Sequence, residues 1–466
     1  MPSLRELREK NVCTACVNEP VLKSQIRTTG TKARCSYCNR TRQSFSAARL
    51  AEVIDFAFEE HYVRVDYDDD GFGLLAQFNL AREDGIPVVD AISDAAGIST
   101  LIASEIRSIL HARHQSRSAY EMGERTPYEE DSEYQRMRPS DAGMREDWDL
   151  FELELKHRAR FFNRRGAELL ASVFGHVDRL PVRGKRKLVV TAGPGCAVER
   201  LFRARVFQSE SVLLEALKNP EQQLGAPPPK IAATGRMNAR GISVFYGADT
   251  CEGAIAEVRP PVGSNVAVGA FDIIHHVTLL DLTELPFVEH GRDSIFDPDT
   301  KKRMERIVFL QSLGERMTKP VMPDDQDIEY LVTQAIADFL STENTPRLDG
   351  IIFESVQTPN SQNVVLFNHS SAAENPVRPE GTEVTSFRFQ HNDDGPESTI
   401  LVFENVPTHP HEPESGWHNW TTKKPVDPTL RLDRANIAIH YIKGVSYFSD
   451  PTAVLIQRGE KDSDEF

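Results

Sequence analysis

Residues 235–260 read GRMNARGISVFYGADTCEGAIAEVRP, and this stretch sets the architecture of the second half of the chain. The run ISVFYGA (242–248), rich in β-branched and aromatic side chains and bounded by glycine, predicts a strand. A turn at Asp249 follows, and Cys251 to Val258 have helical character. Arg236 then falls on a loop or strand start, Tyr246 on the strand and Glu257 on the helix, so three polar types converge. Glu257 lies among Ala254, Ile255, Ala256 and Val258, and a carboxylate buried in such surroundings is costly unless it is paired or functional. Two readings stand side by side: a structural one, in which Glu257 caps the helix or bridges to an arginine such as Arg259, and a chemical one. Tyr246 taken alone reads as core.

The same texture extends on both sides. LVVTA (188–192), ARVFQ (204–208), NVAVGAFDI (265–273), HVTLLDLT (276–283), DGIIFESV (349–356) and QNVVLFN (362–368) predict strands, with helices over 300–313 and 325–341. This predicts an α+β domain at 200–375, after a basic linker at 181–199. Beyond it TSFRFQ, STILVFE, LRLDRANIAIHYIKGVSYF and TAVLIQR predict a β-rich C-terminal extension at 376–466, with a hairpin turning at Lys443–Gly444. Toward the N-terminus the pattern becomes helical. FSAARLAEVIDFAFEEHYV (45–63) and LIASEIRSILHAR (101–113) put apolar residues at helical spacing, the second capped near Ser99 or Thr100. Residues 115–146 have few apolar anchors and read as an exposed connection, and 147–177 as one long helix or two. Residues 46–180 thus predict an α-helical domain.

Four of the six cysteines, Cys13, Cys16, Cys35 and Cys38, form two CxxC pairs separated by eighteen residues, while Cys196 and Cys251 stand alone. That spacing suits a four-thiolate zinc site, each CxxC turn presenting two sulfurs. Two disulfides are the other reading; with no apolar h-region after MPSLRELREKN to mark secretion, reduced thiols and a cytoplasmic location are expected. Four thiolates close the coordination shell, so the metal is expected to be structural, holding a small zinc ribbon at 1–45. Its basic residues, among them Arg27, Lys32, Arg34, Arg40 and Arg42, offer a surface to a nucleic-acid phosphate backbone or an acidic partner.

Composition bounds the rest. The chain has 466 residues, enough for two to four domains at about 100–200 residues each. Its net charge of -16 argues against a whole-surface affinity for nucleic acid or anionic lipid. Residues 1–45 nevertheless carry nine Lys or Arg against Glu6, Glu9 and Glu19. No apolar run approaches the roughly 20 residues that cross a bilayer, so no membrane partner is expected. GxGxxG and GxxxxGK[ST] are absent at strand-to-helix turns, which argues against dehydrogenase and NTPase chemistry.

LFRARVFQ (201–208), the 235–260 stretch and DGIIFESVQTPNSQNVVLFN (349–368) resemble the three characteristic blocks of the RES domain. The preceding ribbon and helices, including KHRARFFN (156–163), are similar to the N-terminal region often fused to RES domains and described as HEPN-like. The resemblance implies an ADP-ribosyltransferase-like fold and an NAD-degrading toxin that cleaves the nicotinamide–ribose bond with water or phosphate, NAD being the substrate. A toxin of this kind implies an antitoxin or inhibitory protein as partner. By the same resemblance Arg203 and Arg236 match the family's arginines, Tyr246 its strand tyrosine, Glu257 its glutamate and Ser355 its serine. The family block usually reads GRWN followed by proline, where this chain has Met237 and Ala239.

The residue types suit that chemistry. A guanidinium pairs pyrophosphate oxygens bidentately, which fits Arg236 or Arg203. A carboxylate at Glu257 would offset positive charge developing on ribose. Tyr246 would stack on nicotinamide while its hydroxyl fixes a ribose or amide group, and Ser355 would donate a hydrogen bond beside it. ADP-ribose transfer to a protein or nucleic acid, and a binding module with an inactive RES domain, are the competing readings. Arg107 and His114 also fit the loose R-x4-6-H pattern of HEPN ribonucleases, a match that chance alone supplies in a chain with fourteen histidines.

Overall fold

The computed structural model describes residues 2–65, 85–115, 126–289, 291, 293–319, 321–390, 398–407, 427–446 and 449–456. Contacts divide the chain into two units, Met1–Val189 with Asp281–Arg347, and Val190–Leu280 with Leu348–Phe466. Residues 281–347, expected within the 200–375 domain, thus group with the N-terminal residues.

In the first unit a three-stranded sheet of order β1-β3-β2 is built from β1 (Asn11–Cys13), β2 (Thr31–Arg34) and β3 (Thr41–Ser46). Helix Pro20–Thr29 packs on it through Leu22 and Ile26. Ser46 ends β3 and caps helix Ala47–His61, its hydroxyl accepting from the Arg49 N–H at 3.2 Å. That helix buries Leu50, Ile54 and Phe58, against helix Thr100–His114, capped by Ser99 as expected. A small sheet of order β4-β6-β5, made of β4 (Tyr62–Val65), β5 (Ile86–Pro87) and β6 (Glu133–Arg136), corrects the all-helical expectation for 46–180. It forms because Tyr128 and Tyr134, in the stretch read as an exposed connection, are buried against Phe58. Residues 116–125 of that stretch lie outside the described residues. The segment 147–177 resolves into two helices, Ala142–His157 and Arg164–Phe174. Helix Thr300–Thr318 packs on both: Phe309 lies 5.1 Å from Trp148, and Arg306 donates to the carbonyls of Val173 and Gly175.

The second unit is organised around an eight-stranded sheet. Its strands are β7 (Val189–Ala192), β8 (Arg200–Phe207), β9 (Phe245–Ala248), β10 (Asn265–Ile273), β11 (Val277–Asp281), β12 (Gly350–Glu354), β13 (Gln362–Leu366) and β16 (Leu430–Tyr441). The order is β16-β10-β8-β9-β13-β12-β11-β7. The strands β14 (Glu383–Gln390) and β15 (Ser398–Asn405) pair separately as a hairpin. A mixed α+β class therefore holds. One face carries Leu201, Phe207, Phe245 and Phe271 under the helices Glu210–Leu217 and Pro220–Leu224; the other carries Ala204, Ala248, Val266 and Val268 under helix Cys251–Glu257.

The C-terminal stretch departs from expectation. The strand β16 is no separate extension: it pairs antiparallel with β10 from Asn265–Tyr441 to Ile273–Leu430, with a bulge between Val268 and Ala270. No hairpin turns at Lys443–Gly444, because no strand follows β16 among the described residues. The last two residues of TAVLIQR lie outside the described residues, and 452–456 form no strand.

Candidate active site

The GRMN stretch forms a tight turn in which the N–H of Gly235 donates to the Asn238 carbonyl at 3.0 Å. Arg236 and Met237 occupy its tip. Asn238 is buried and pins the loop, its Nδ2 donating to the carbonyls of Ala233, Ala239 and Ile242. Tyr246 on β9 completes the clasp: its hydroxyl donates to Asn238 Oδ1 at 3.0 Å and accepts from the Met237 N–H at 2.9 Å. A Cβ at position 235 would lie 2.5 Å from Asn238 Oδ1 and 2.7 Å from the Tyr246 hydroxyl, so the motif requires glycine there. The Tyr246 hydroxyl, expected on a ribose or amide group, is thus engaged in holding this loop. Met237 is buried, so the position where the family usually has an aromatic residue is a packing position.

Helix Cys251–Glu257 is set by Thr250, whose hydroxyl accepts from the Gly253 N–H and meets Ser361 Oγ at 3.0 Å. Ser361 in turn donates to Asp249 Oδ1 at 2.7 Å, joining the start of this helix to the loop before β13. Gly253 is needed for that approach, since a Cβ would fall 2.2 Å from Ser361 Oγ.

Glu257 ends this helix, and it is exposed rather than buried among its apolar neighbours, because those neighbours turn toward the sheet. It does not bridge to Arg259. Its Oε1 accepts from Asn363 Nδ2 at 2.6 Å and from Ser355 Oγ at 3.3 Å, and no described cation lies within ion-pair distance. The serine is itself held, accepting from the N–H groups of Gln357 and Thr358 in the loop after β12.

Strand register shows which residues share a face. Ala248 pairs with Asn363 and Tyr246 with Val365, so Tyr246, Asn363, Ser355 and Glu257 gather on the side of the helix. Arg203 does not join them. It neighbours Phe202, the residue paired with Ala248, and alternation turns it to the other face, where its guanidinium lies 5.2 Å from the Phe245 ring. Phe202–Ala248 is the one pairing of β8 with β9 among the described residues, so the two strands part where Arg203 and Tyr246 stand. Nη1 of Arg203 is sealed from solvent without a hydrogen-bond partner. Burial lowers its pKa to about 10, with Tyr246 acting in the opposite direction, so the group is charged at neutral pH.

Sequence reasoning missed Asn363. It sits in the apolar run QNVVLF, where an amide on a central strand was the available signal. Its Oδ1 is buried without a hydrogen-bond partner while its Nδ2 serves Glu257.

The four N-terminal thiols do come together. Cys13 ends β1 and Cys16 follows it, Cys35 and Cys38 follow β2, and all four sulfurs lie within 4.8 Å of one another. Sγ separations are 3.9 Å for Cys13–Cys16, 3.5 Å for Cys13–Cys38 and 3.8 Å for Cys16–Cys35. A tetrahedron with bonds of about 2.3 Å puts sulfurs roughly 3.8 Å apart, so the cluster fits a four-coordinate metal; disulfide sulfurs would be about 2.0 Å apart. Burial at Cys35 is opposed by backbone groups of Cys38, Tyr37 and Cys13, which hold its thiol down to about 7. Cys196 and Cys251 lie outside the cluster.

Arg107 and His114 both make contacts within the helical region. Arg107 donates to the Tyr128 carbonyl at 3.3 Å, and His114 Nε2 sits 2.9 Å from Asp55, which also accepts from the Tyr128 hydroxyl. No helix among the described residues is long and apolar enough to cross a membrane.

No curated protein and no solved structure matches the chain. Residues 201–390, a stretch that takes in Arg203, Arg236, Tyr246, Glu257, Ser355 and Asn363 and runs on through β14, match the RES domain family.

Proposed function

We propose that the chain degrades NAD by cleaving its nicotinamide–ribose bond, with Glu257 as the charge-stabilising group. The reading rests on one observation: a carboxylate at the C-terminal end of a helix, where the helix dipole disfavours it, is held by a neutral amide and a neutral hydroxyl with no cation nearby. No described cation neutralises it, so the charge is available to a substrate. As the C1′–N bond breaks, its electron pair leaves with nicotinamide and positive charge appears on the ribose. Glu257 faces that charge, Ser355 and Asn363 hold its carboxylate, and Tyr246 keeps Arg236 at the tip of its turn to meet the pyrophosphate. Arg203, beside the parting of β8 and β9, is the second candidate for the pyrophosphate. An acceptor oxygen, from water or phosphate, then bonds to C1′ and releases its proton.

Further parts of the proposal follow from the RES resemblance: an ADP-ribosyltransferase-like fold, a toxin or defence role in the cytoplasm, and restraint by an antitoxin. The ribbon metal is assigned as structural zinc. Incubating the purified full-length protein with NAD, with and without phosphate, tests the central claim. Free nicotinamide with ADP-ribose or its phosphorylated form is expected. Label on a macromolecule would make it a transferase, and intact NAD would make it a binding module with an inactive RES domain.

Two variants probe the arrangement. Asn363→Asp sets a second carboxylate against Glu257; like charge disfavours ionisation, so the acid limb of the pH–rate profile should move upward by about one unit. An unmoved limb with lowered activity would make Asn363 purely structural. Arg203→Met removes a half-buried cation whose Nη1 is sealed from solvent without a hydrogen-bond partner, and relief of that desolvation cost is stabilising. The melting temperature should rise while NAD affinity falls roughly tenfold or more, the loss of a charged hydrogen bond. Unchanged affinity would remove Arg203 from the binding site.

A further inference from the structure

Between Glu19 and Glu52 the chain has no acidic residue, yet it has Lys23, Arg27, Lys32, Arg34, Arg40, Arg42 and Arg49, in a protein whose net charge is -16. The fold brings most of these to the surface of the ribbon. Lys32 and Arg34 lie two apart on β2, an outer strand of its sheet, and so project from one face; Arg42 on β3, paired with Ala33, projects from the other, Arg40 follows the second CxxC, and Arg27 lies in the last turn of helix Pro20–Thr29. All five are exposed. None makes an ion pair with a described residue, whereas Lys10 and Arg49 nearby are matched with Glu105 and Glu52. Unpaired cations on a rigid, metal-sized hairpin repel one another, and nothing within the described chain relieves that repulsion.

We propose that these five exposed side chains, displayed on both faces of the β2–β3 hairpin and beside it, bind the phosphate backbone of nucleic acid. The ribbon also shows how the contact would discriminate. No aromatic ring on it is exposed: Phe45 is buried, and Tyr37 donates its hydroxyl to Glu105 at 2.5 Å. Without an exposed ring for base stacking, and with five cations suited to phosphates, the surface reads charge and spacing rather than base sequence. This inference is independent of the NAD chemistry.

The test is a salt titration of binding, by fluorescence anisotropy, with the full-length protein, a labelled DNA duplex of about 20 base pairs and an RNA of similar length. Neutralising five phosphates on a duplex gives a slope of log K against log salt near −4.5, and about −3.5 on a single strand. Scrambling the sequence should change nothing. Arg27→Gln/Lys32→Gln/Arg42→Gln should reduce the slope by about three and weaken binding at low salt by at least tenfold. Arg179→Gln/Lys187→Gln/Lys302→Gln, with the same change in net charge, should bind as the parent does. Zinc content and circular dichroism report folding; if the ribbon triple variant lost metal, Lys32→Glu alone replaces it, with the slope expected to fall by one to two. Absence of binding at low salt, equal slopes for the two triple variants, or tighter binding to polyglutamate or phosphatidylserine vesicles at matched charge would each overturn the proposal.

Discussion

Glu257→Gln is expected to lower NAD turnover by at least 10²–10³-fold, the usual loss when one group aimed at transition-state charge is removed. Glutamine is isosteric, and its Oε1 can still accept from Asn363 and Ser355, so the local fold should persist. What it lacks is the negative charge, and that charge matters only as the glycosidic bond breaks. The loss should therefore fall on kcat with little change in KM. Nicotinamide release measured across NAD concentrations, with a thermal melt to confirm folding, decides it. Near-full turnover in a folded variant would leave Glu257 as no more than the partner that fixes Asn363 and the loop after β12, and the proposed chemistry would fall with it.

The second large effect is expected at the ribbon. Cys35→Ser should reduce bound zinc from one per chain to nearly none and unfold residues 11–45. The strands β1, β2 and β3 are three, four and six residues long, and a metal at the four thiols would add to the support they take from the shared core, by about 10–16 kcal/mol in comparable peptides. Hydrogen exchange read by mass spectrometry should show protection lost from β1 through β3 and kept across β8, β10 and β13. A variant that keeps full protection and metal would show that the four thiols do not ligate together. Cys251→Ser serves as the control, since that thiol meets His440 at 3.6 Å and lies outside the cluster.

The elements legible in the sequence were those whose signals are local. The helix Ala47–His61 announces itself by apolar spacing and a capping serine, and the strands around Tyr246 by β-branched runs closed by glycine. The thiol cluster was legible because two CxxC turns bring their geometry with them. Other features depend on register or long-range pairing, which no local window contains. Arg203 was grouped with Tyr246 and Glu257 by the family resemblance, yet strand parity turns it to the Phe245 face. Glu257 read as buried because its helical neighbours are apolar, but the last residue of a short helix projects past the sheet those neighbours cover. Asn363 was hidden because an amide inside QNVVLF looks like an imperfection in a core strand until its partner, distant in sequence, is known. The grouping of residues 281–347 with the N-terminal unit is of the same kind, for helix Thr300–Thr318 looks alike whichever core it covers.

The pairing of β16 with β10 also sets the timing of the protein's birth. On the ribosome β8, β9, β12 and β13 emerge and can associate while β10 still has a bare edge, because Leu430, the partner of Ile273, has yet to be made. At about 5–20 residues per second, the stretch between Ile273 and Leu430 takes on the order of ten seconds to synthesise. Throughout that interval the nascent chain exposes an unpaired strand, the surface that invites chaperones or a neighbouring nascent chain. A message truncated upstream of codon 430 would yield the whole set Arg203, Arg236, Tyr246, Glu257 and Ser355 on a sheet that ends at β10, with a strand made to be covered standing at the edge.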